Sequence, residues 1–277
     1  MKFVVNYIYP EIQEINKEFL RKENIAIKYP GGKWDLETLL SLCSEGFEIV
    51  LHGIIPSSGS FLDLDLCKNM DLWADIALKT NQRWLSFHFD RRKKYREITS
   101  IYSVAEENLK AIRKRFKSTP ILIENLPPVD GIEGFCANPE IFTEFIKKFD
   151  FGMLLDIPHA VISSDILNIS FDEYISRFPL ERVKEIHFTG VSKLSNGKYY
   201  DSHVHFDEFI LKKFESVLPK CPNVEYLTLE YSPTRDYDGE SIAKKYLEEH
   251  TMHDMALLQR QQIMTMKEVY NKFKNNN

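Results

Sequence analysis

One stretch of this chain decides the fold, and it reads Gly152-Met-Leu-Leu-Asp156-Ile-Pro-His159-Ala160. Its first half is an unbroken apolar run that is too short for a helix, which predicts a buried β-strand. Because Pro158 cannot extend a sheet ladder and is disfavoured inside a helix, we expect the strand to end here. Asp156 and His159 would then be two potential metal ligands at the mouth of the strand. For this stretch alone, a helix-capping Asp and a surface His are an equally good interpretation.

The same succession of a short apolar run and a helical pattern recurs from end to end. The other predicted strands span residues 3–7, 24–29, 47–51, 83–87, 120–123, 183–186 and 224–229. Helices are predicted at residues 11–21, 35–44, 63–78, 99–116, 139–149, 171–178 and 206–218. Eight strands that alternate with helices predict an α/β fold, a single (β/α)8 TIM barrel over residues 1–238. We expect residues 239–277 to form a C-terminal helical extension that packs on the barrel or trails from it.

A doubly wound open sheet is the alternative architecture for such an alternation. That fold usually has a glycine-rich turn after its first strand, and this chain has none there. The turn signals that the chain does have are compatible with the barrel. Pro30-Gly31-Gly32 predicts a turn, Asp35 a helix cap, and residues 56–60 a loop.

Composition limits the class of protein. The 277 residues are 43% hydrophobic and 28% charged, with a formal net charge of -5, which gives no sign of a polyanion-binding protein. Cys43, Cys67, Cys136 and Cys221 are scattered, which argues against a disulfide framework and against a thiolate zinc site. The N-terminal segment lacks the features of a signal peptide, and no apolar run approaches membrane-spanning length. We therefore expect a cytoplasmic protein with no membrane partner.

The candidate site lies where the predicted strands end, because the carboxyl ends of the strands of such a barrel meet at one mouth. The residues at those ends are all imidazoles or carboxylates, namely His52, His88, Glu124, Asp156, His187 and Glu230. The segments just beyond the strands add His159, Asp201 and His203. So many carboxylates in one pocket would be costly without cations to compensate them.

The number of candidate ligands exceeds what one ion can use, so we expect two or three metal ions, with Glu124 as a possible bridge. Mixed nitrogen and oxygen donors suit iron, zinc or manganese. Taken singly, a strand-end His is more often a hydrogen-bonded structural residue. Asp201 and His203 are predicted in a loop, where a turn Asp and a solvent His fit as well. The remaining histidines, at positions 205, 250 and 253, are predicted at the surface, and Arg91–Lys94 is predicted to be a solvated loop.

Several short motifs together resemble the multinuclear non-haem iron-dependent oxidases, which modify ribosomally made peptides, usually at cysteine. The motifs run in order from about residue 47 to residue 232 and are Leu51-His-Gly53, Ser58-Gly-Ser60, Leu85-Ser-Phe-His88, Leu122-Ile-Glu-Asn125, Leu154-Leu-Asp156, Glu185-Ile-His187-Phe-Thr-Gly190, Asp201-Ser-His203 and Leu229-Glu230. The family lies within the wider xylose isomerase-like and endonuclease IV-like barrel superfamily.

The resemblance implies two or three irons, dioxygen as oxidant and a cysteine-containing peptide as substrate, and it allows for a partner protein that presents the peptide. Residue by residue it makes metal ligands of His52, His88, Glu124, Asp156, His187, Asp201, His203 and Glu230, with Glu124, Asp156 and Glu230 as the catalytic carboxylates. The chain departs from the family in two places. It has His159 where the family commonly has Asn, and its first strand lacks the usual opening pattern.

Two other enzyme classes use a similar set of residues. The Asp156-x-x-His159 spacing is similar to that of endonuclease IV, a trinuclear zinc enzyme whose whole ligand order can be read through this sequence. That interpretation predicts cleavage of abasic DNA, with Arg91–Lys94 as the candidate phosphate contact. A sugar isomerase or epimerase, with manganese, would need only Glu124, Asp156, His187 and Glu230. It would leave four histidines without a role, namely His52, His88, His159 and His203. A non-enzymatic binding barrel would not need so many clustered ionisable groups.

Overall fold

The computed structural model describes residues 1–7, 9–30, 36–53, 60–66, 70–89, 98–117, 119–128, 137–233 and 242–275. Several predicted features lie outside the described residues. These are the glycines of the turn at 31–32, the helix cap at Asp35, most of the 56–60 loop, the basic loop at 91–94, and two of the four cysteines, at positions 67 and 136.

Eight parallel strands close into a barrel, which confirms the predicted TIM barrel. In chain order they are β1 (Lys2–Asn6), β2 (Ala26–Pro30), β3 (Ile49–His52), β4 (Leu85–His88), β5 (Ile121–Glu124), β6 (Gly152–Asp156), β7 (Val183–Phe188) and β10 (Tyr226–Leu229). The last strand pairs with both β7 and β1, and this pairing closes the barrel. A separate antiparallel pair, β8 (Gly190–Lys193) and β9 (Tyr199–Val204), follows the seventh barrel strand.

Helices surround the barrel. They are α1 (Pro10–Lys22), α2 (Leu36–Ser44), α3 (Met70–Lys79), α4 (Ile98–Phe116), α5 (Pro139–Lys148), α6 (Ile157–Ile166), α7 (Phe171–Ser176), α8 (Glu208–Val217), α9 (Ile242–Glu249) and α10 (Met252–Asn275). The helix predicted at 63–78 is divided, because a 3₁₀ helix spans Phe61–Leu66 and α3 begins at Met70. No described helix has the length and apolar character needed to cross a bilayer.

The chain turns directly from β6 into α6, and the sequence analysis missed this helix. The strand ends at Asp156 as predicted, but Pro158 lies in the first turn of α6, where a helix does not need the missing N–H group. The Asp156 Oδ1 atom accepts a hydrogen bond of 2.6 Å from the backbone N–H of His159, so Asp156 is also the helix cap. Residues Ile157 to Ser164 are all buried.

The loop position predicted for Asp201 and His203 is wrong, since both lie on β9 of the hairpin that β8 and β9 form. Gly190 allows the two strands to approach, because a Cβ atom at this position would lie 2.2 Å from the carbonyl oxygen of His205. His203 has a φ of +51°, a left-handed conformation that costs energy in a residue with a Cβ atom. The hairpin thus holds His203 in a strained backbone conformation.

The C-terminal segment forms two helices, and the longer one, α10, packs along α1. The Asn16 side chain donates hydrogen bonds to the carbonyl oxygen of Ala256, at 3.0 Å, and to the side chain of Gln259, at 2.8 Å. Lys267 forms an ion pair of 2.5 Å with Glu23 at the far end of the same contact. The extension therefore covers the outer face of the first helix.

Strand alternation sorts the barrel interior into two layers. The lower layer contains seven apolar or aromatic residues, Val4, Ala26, Val50, Trp84, Leu122, Leu154 and Tyr226, and Glu185 of β7 lies level with Leu154 and Tyr226. The residue two positions further along each of these strands points to the same side. Those residues are all buried and all polar, namely Asn6, Lys28, His52, Ser86, Glu124, Asp156 and Thr228. The parity of the strands thus places a polar layer at the carboxyl end of the barrel, above an apolar plug.

Candidate metal centre

All nine predicted site residues lie together in one cluster at the carboxyl end of the barrel. They are His52, His88, Glu124, Asp156, His159, His187, Asp201, His203 and Glu230. The barrel strands and the residues directly after them supply six, α6 supplies one, and the β8–β9 hairpin supplies two. The Asp201 side chain is the most exposed of the set, at 13%. The other eight are buried.

Glu124 lies at the centre of one half of the cluster. Its Oε2 atom is 3.2 Å from Nε2 of His52 and 3.5 Å from Nε2 of His88. Its Oε1 atom is 3.2 Å from Nδ1 of His159. One carboxylate therefore faces three imidazoles from three different elements.

His187 lies at the centre of the other half and directs one ring nitrogen at three carboxylates. Its Nδ1 atom is 3.2 Å from Glu230 Oε1, 3.7 Å from Asp156 Oδ2 and 3.8 Å from Glu124 Oε1. Asn6 donates a hydrogen bond of 3.1 Å to the same Oε1 atom of Glu230. This half is richer in carboxylates than the first.

The hairpin adds a third corner to the cluster. The Oδ2 atom of Asp201 is 3.3 Å from Nε2 of His159 and 2.8 Å from Nε2 of His203. The other nitrogen of each ring, Nδ1, is within hydrogen-bond distance of a backbone carbonyl oxygen, that of Asn125 for His159 (2.9 Å) and that of Glu230 for His203 (3.0 Å). Each ring therefore presents Nε2 to Asp201, and this is the nitrogen at which a metal ion would bind in place of the hydrogen bond.

The donor atoms fit metal ions. Three sets have all their donor atoms within 4.8 Å of one another: His52–Glu124–His187, Glu124–Asp156–His159 and Asp156–His187–Glu230. Among the described residues, both carboxylate oxygens of Glu124, Oδ2 of Asp156 and Nδ1 of His187 are buried without a hydrogen-bond partner. Such orphaned polar atoms are rare and costly in a folded protein. The residues that carry these atoms each belong to two of the three sets, so bound cations would give the atoms partners.

The electrostatics show how the site is balanced without a metal. Burial raises the pKa of Asp156 to about 7, and the nearby Glu124 and Glu230 carboxylates add to the rise. Burial alone would lower the pKa of His187, but Glu230 and Glu124 raise it to about 10. Burial alone would likewise raise the pKa of Glu230, yet the His187 imidazolium holds it well below its usual range. The proton on His187 therefore occupies the role that a bound cation can take.

The sequence analysis missed the residues that hold the site in place. The Asn125 side chain donates to the carbonyl oxygen of Asp156 at 3.0 Å and accepts from its N–H group at 2.8 Å, which fixes the end of β6. Asn6, Lys28, Ser86 and Thr228 are the buried residues of the barrel's polar layer that do not belong to the nine predicted site residues. These residues could have been identified from the sequence, because each lies two positions after an inward-facing apolar residue of its strand.

The three histidines assigned to the surface lie outside the cluster, as predicted. His205 and His253 are exposed, and His250 is half-buried. His205 Nδ1 lies 2.9 Å from the Tyr246 hydroxyl. The His250 ring stacks on the ring of the same tyrosine.

The protein is a xylose isomerase-like TIM barrel with a buried His/Glu/Asp cluster that could hold metal ions. Residues 20–227 match the family described as RiPP precursor modification enzyme MbnB/TglH/ChrH, and the chain belongs to this family. RiPPs are ribosomally made, post-translationally modified peptides, so membership implies a peptide substrate. The resemblance inferred from the motifs is confirmed.

Individual proteins agree with this assignment. The chain is 24% identical to UPF0276 protein AM1_3026 of Acaryochloris marina over 193 residues, which is 65% of this chain and 68% of that protein. Its fold is similar to a xylose isomerase domain containing protein of Salmonella typhimurium, with a TM-score of 0.63, 13% identity, and 95% and 96% of the two chains covered. Endonuclease IV of Thermus thermophilus gives a TM-score of 0.52, 16% identity, and 90% and 100% coverage. These structural matches show the fold alone.

Proposed function

We propose that this protein is a metal-dependent oxidase that uses two or three irons and dioxygen to modify a cysteine-containing ribosomal peptide. The observation that carries the proposal is the overlap of the three donor sets. Glu124, Asp156 and His187 each belong to two of them. Ions that share ligands in this way must lie side by side, which favours a polynuclear centre over isolated metal sites.

In this proposal all nine clustered residues are ligands. Glu124 is the bridging carboxylate, because its two oxygens face different imidazoles. Glu230 and Asp156 hold the carboxylate-rich half together with His187. When bound, iron supplies one-electron chemistry and open positions for dioxygen and for a substrate thiolate.

The protein's own contribution is to shape access to that centre. The apolar plug of the barrel, including Trp84, Leu154 and Tyr226, closes the interior below the polar layer. Asp201, the most exposed member of the cluster, lies on the hairpin at the mouth. A peptide would therefore reach the cluster from the hairpin side, where Asp201 is the first site residue that it meets.

The experiment is to purify the protein without oxygen from cells supplemented with iron or with zinc, and then measure the metals per chain. The loaded protein is mixed with dioxygen and a cysteine-bearing peptide encoded nearby, and the peptide mass is measured. A mass change that requires both iron and dioxygen supports the oxidase. A protein that holds iron but leaves the cysteine of every such peptide unchanged contradicts this choice of substrate.

One observation favours a second candidate, a zinc phosphodiesterase that cleaves abasic DNA. His159, the residue that departs from the oxidase pattern, contacts both Glu124 and Asp201 and so completes an Asp-x-x-His arrangement inside the cluster. Three zinc ions per chain, together with nicking of a duplex that contains one abasic site, would support this alternative. An intact duplex after incubation with the zinc-loaded protein would exclude it.

A further inference from the structure

A buried ion pair lies directly below the cluster, and the proposed function does not use it. The Nζ atom of Lys28, on β2, is 2.5 Å from Oε1 of Glu185, on β7. Both side chains are 0% exposed. Removing two charges from water in this way costs more than a surface pair, and an apolar pair often packs equally well. The pair therefore calls for an explanation beyond stability.

Glu185 is held from several directions. Thr228 Oγ1 donates a hydrogen bond of 2.6 Å to Oε1, and Trp84 Nε1 donates one of 3.1 Å to Oε2. Oε1 is also 3.3 Å from Nε2 of His187. With Lys28, four groups from four parts of the barrel converge on this carboxylate, which leaves it little freedom to move.

His187 lies between this carboxylate and the proposed metals. Its Nε2 atom points down to Glu185, and its Nδ1 atom points up to Glu230, Asp156 and Glu124. Lys28 Nζ lies closer to this Nε2 atom than Glu185 does, and it also donates to the same Glu185 oxygen. Lys28 and Glu185 are therefore both neighbours of Nε2, and the variants below must separate their effects.

The other histidines of the cluster are anchored differently. His159 and His203 have Nδ1 on backbone carbonyl oxygens, and His52 has Nδ1 2.9 Å from the hydroxyl of Ser86. Those three direct Nε2 toward the cluster, although Nδ1 of His159 also lies 3.2 Å from Glu124 Oε1. His187, by contrast, directs only Nδ1 at the cluster carboxylates. His187 therefore has the opposite ring orientation, and a carboxylate holds the nitrogen that faces away from the cluster.

We propose that Glu185 is a positioning residue that accepts a hydrogen bond from the Nε2–H group of His187 and so presents Nδ1 to the metals. Lys28 neutralises Glu185, so that this buried pair carries no net charge. This inference rests on the proposed metal site and acts through His187 alone. Partners of this kind typically contribute a factor of roughly 10–100 to metal affinity.

The test compares three variants: Glu185→Gln, Lys28→Met and the double variant with both changes. For each, the affinity for ferrous ion is measured without oxygen by competition with a chromophoric chelator. Thermal unfolding of the metal-free protein is measured in parallel. Glu208→Gln is the matched control, because it removes a carboxylate that pairs with a lysine at 2.8 Å on the surface.

We expect Glu185→Gln to weaken iron binding by about 10–100-fold and to lower the unfolding temperature, because Lys28 is left without its counter-charge. Lys28→Met should affect the unfolding temperature more than iron binding, since the carboxylate remains below His187. The double variant is the decisive one. It restores charge balance and should recover stability relative to Glu185→Gln, yet its iron affinity should remain low.

A purely structural ion pair would give a different result, because the double variant would then recover iron affinity along with stability. That recovery would overturn the inference, and so would iron binding by Glu185→Gln that equals the parent protein. A parent protein that binds no metal would instead contradict the proposed function. A further variant tests whether Glu185 acts through His187. In a His187→Asn background, Glu185→Gln should cause no further loss of iron affinity, and an additional loss would contradict action through His187.

Discussion

The Nε2 atom of His159 lies 3.3 Å from the Oδ2 atom of Asp201, which connects the start of α6 with the β8–β9 hairpin. Neither element is a barrel strand, yet together they complete the cluster that the strand ends begin. His159 also contacts Glu124 through its other ring nitrogen, at 3.2 Å. It therefore links the central carboxylate to Asp201, the most exposed residue of the cluster.

His159→Asn is the first test of this link. The shorter amide cannot reach both Glu124 and Asp201, so we expect the number of bound metals per chain to fall by one while the fold is retained. Metal analysis of the dialysed protein measures this. His253→Asn, a change at an exposed position outside the cluster, serves as the control and should retain the full number of metals. Unchanged metal content in His159→Asn would show that His159 is not a ligand.

Glu124→Gln should remove metal and activity together. The amide keeps the size of the side chain but loses the charge that faces His52, His88 and His159. We expect the affinity to fall by more than the roughly 10–100-fold that loss of an outer partner costs. Glu215→Gln, at an exposed position of α8, controls for purification and metal loading. A fully loaded and fully active Glu124→Gln variant would contradict the bridging role.

The left-handed conformation of His203 predicts a ranking of substitutions. Asn tolerates a φ of +51° better than a β-branched residue does, so His203→Val should be less stable than His203→Asn by about 1–2 kcal/mol. Both variants should lose metal, because both lack the imidazole beside Asp201. Denaturant unfolding of the metal-free proteins measures the difference. Equal stabilities would mean that the hairpin does not hold this backbone conformation in solution.

Metal binding should release protons. Although burial lowers the pKa of His187, Glu230 and Glu124 raise it to about 10, so the metal-free side chain is protonated at pH 7.5. A metal can bind Nδ1 after the proton leaves, so iron affinity should rise as the pH increases from 7 toward 10. Calorimetric titrations in buffers of different ionisation enthalpy count the released protons. His187→Asn should release fewer, and an equal count in both proteins would contradict this assignment.

Much of the site could be predicted because the barrel strands are recognisable in the sequence as short apolar runs. Runs such as Leu122-Ile-Glu124 and Leu154-Leu-Asp156 combine an apolar strand with a polar residue at its carboxyl end. The geometry of a parallel barrel then brings those ends together without any knowledge of loops. The six residues at the ends of the barrel strands follow from this rule.

The elements beyond the strands could not be predicted in the same way. Helix α6 is buried on all sides from Ile157 to Ser164, so it lacks the polar face that marks an amphipathic helix. In the hairpin, β8 is four residues long and carries half-buried or exposed side chains after Gly190, so it gives no alternating signal. Asp201 and His203 were identified as site residues through the motif, but their strand position depends on tertiary contacts.

Lys28 is the clearest case of a buried residue whose position could not be predicted from the sequence. A lysine in a strand is usually interpreted as facing solvent, because burying its charge without a partner is costly. Its partner, Glu185, lies 157 residues further along the chain, and only closure of the barrel brings the two together. Local sequence therefore carries no sign of the pair, although the parity of β2 places position 28 on the inward face with Ala26.

The most direct test of the central claim is the metal content of the protein purified without oxygen from iron- and zinc-supplemented cells, combined with Mössbauer spectroscopy of the iron. We predict two or three irons per chain, with ferrous sites that oxidise together when dioxygen is admitted. Three zinc ions and no iron would instead indicate the phosphodiesterase, and one loosely held manganese the sugar isomerase. A protein that binds no metal under either supplement would contradict the claim that this cluster is a polynuclear metal centre.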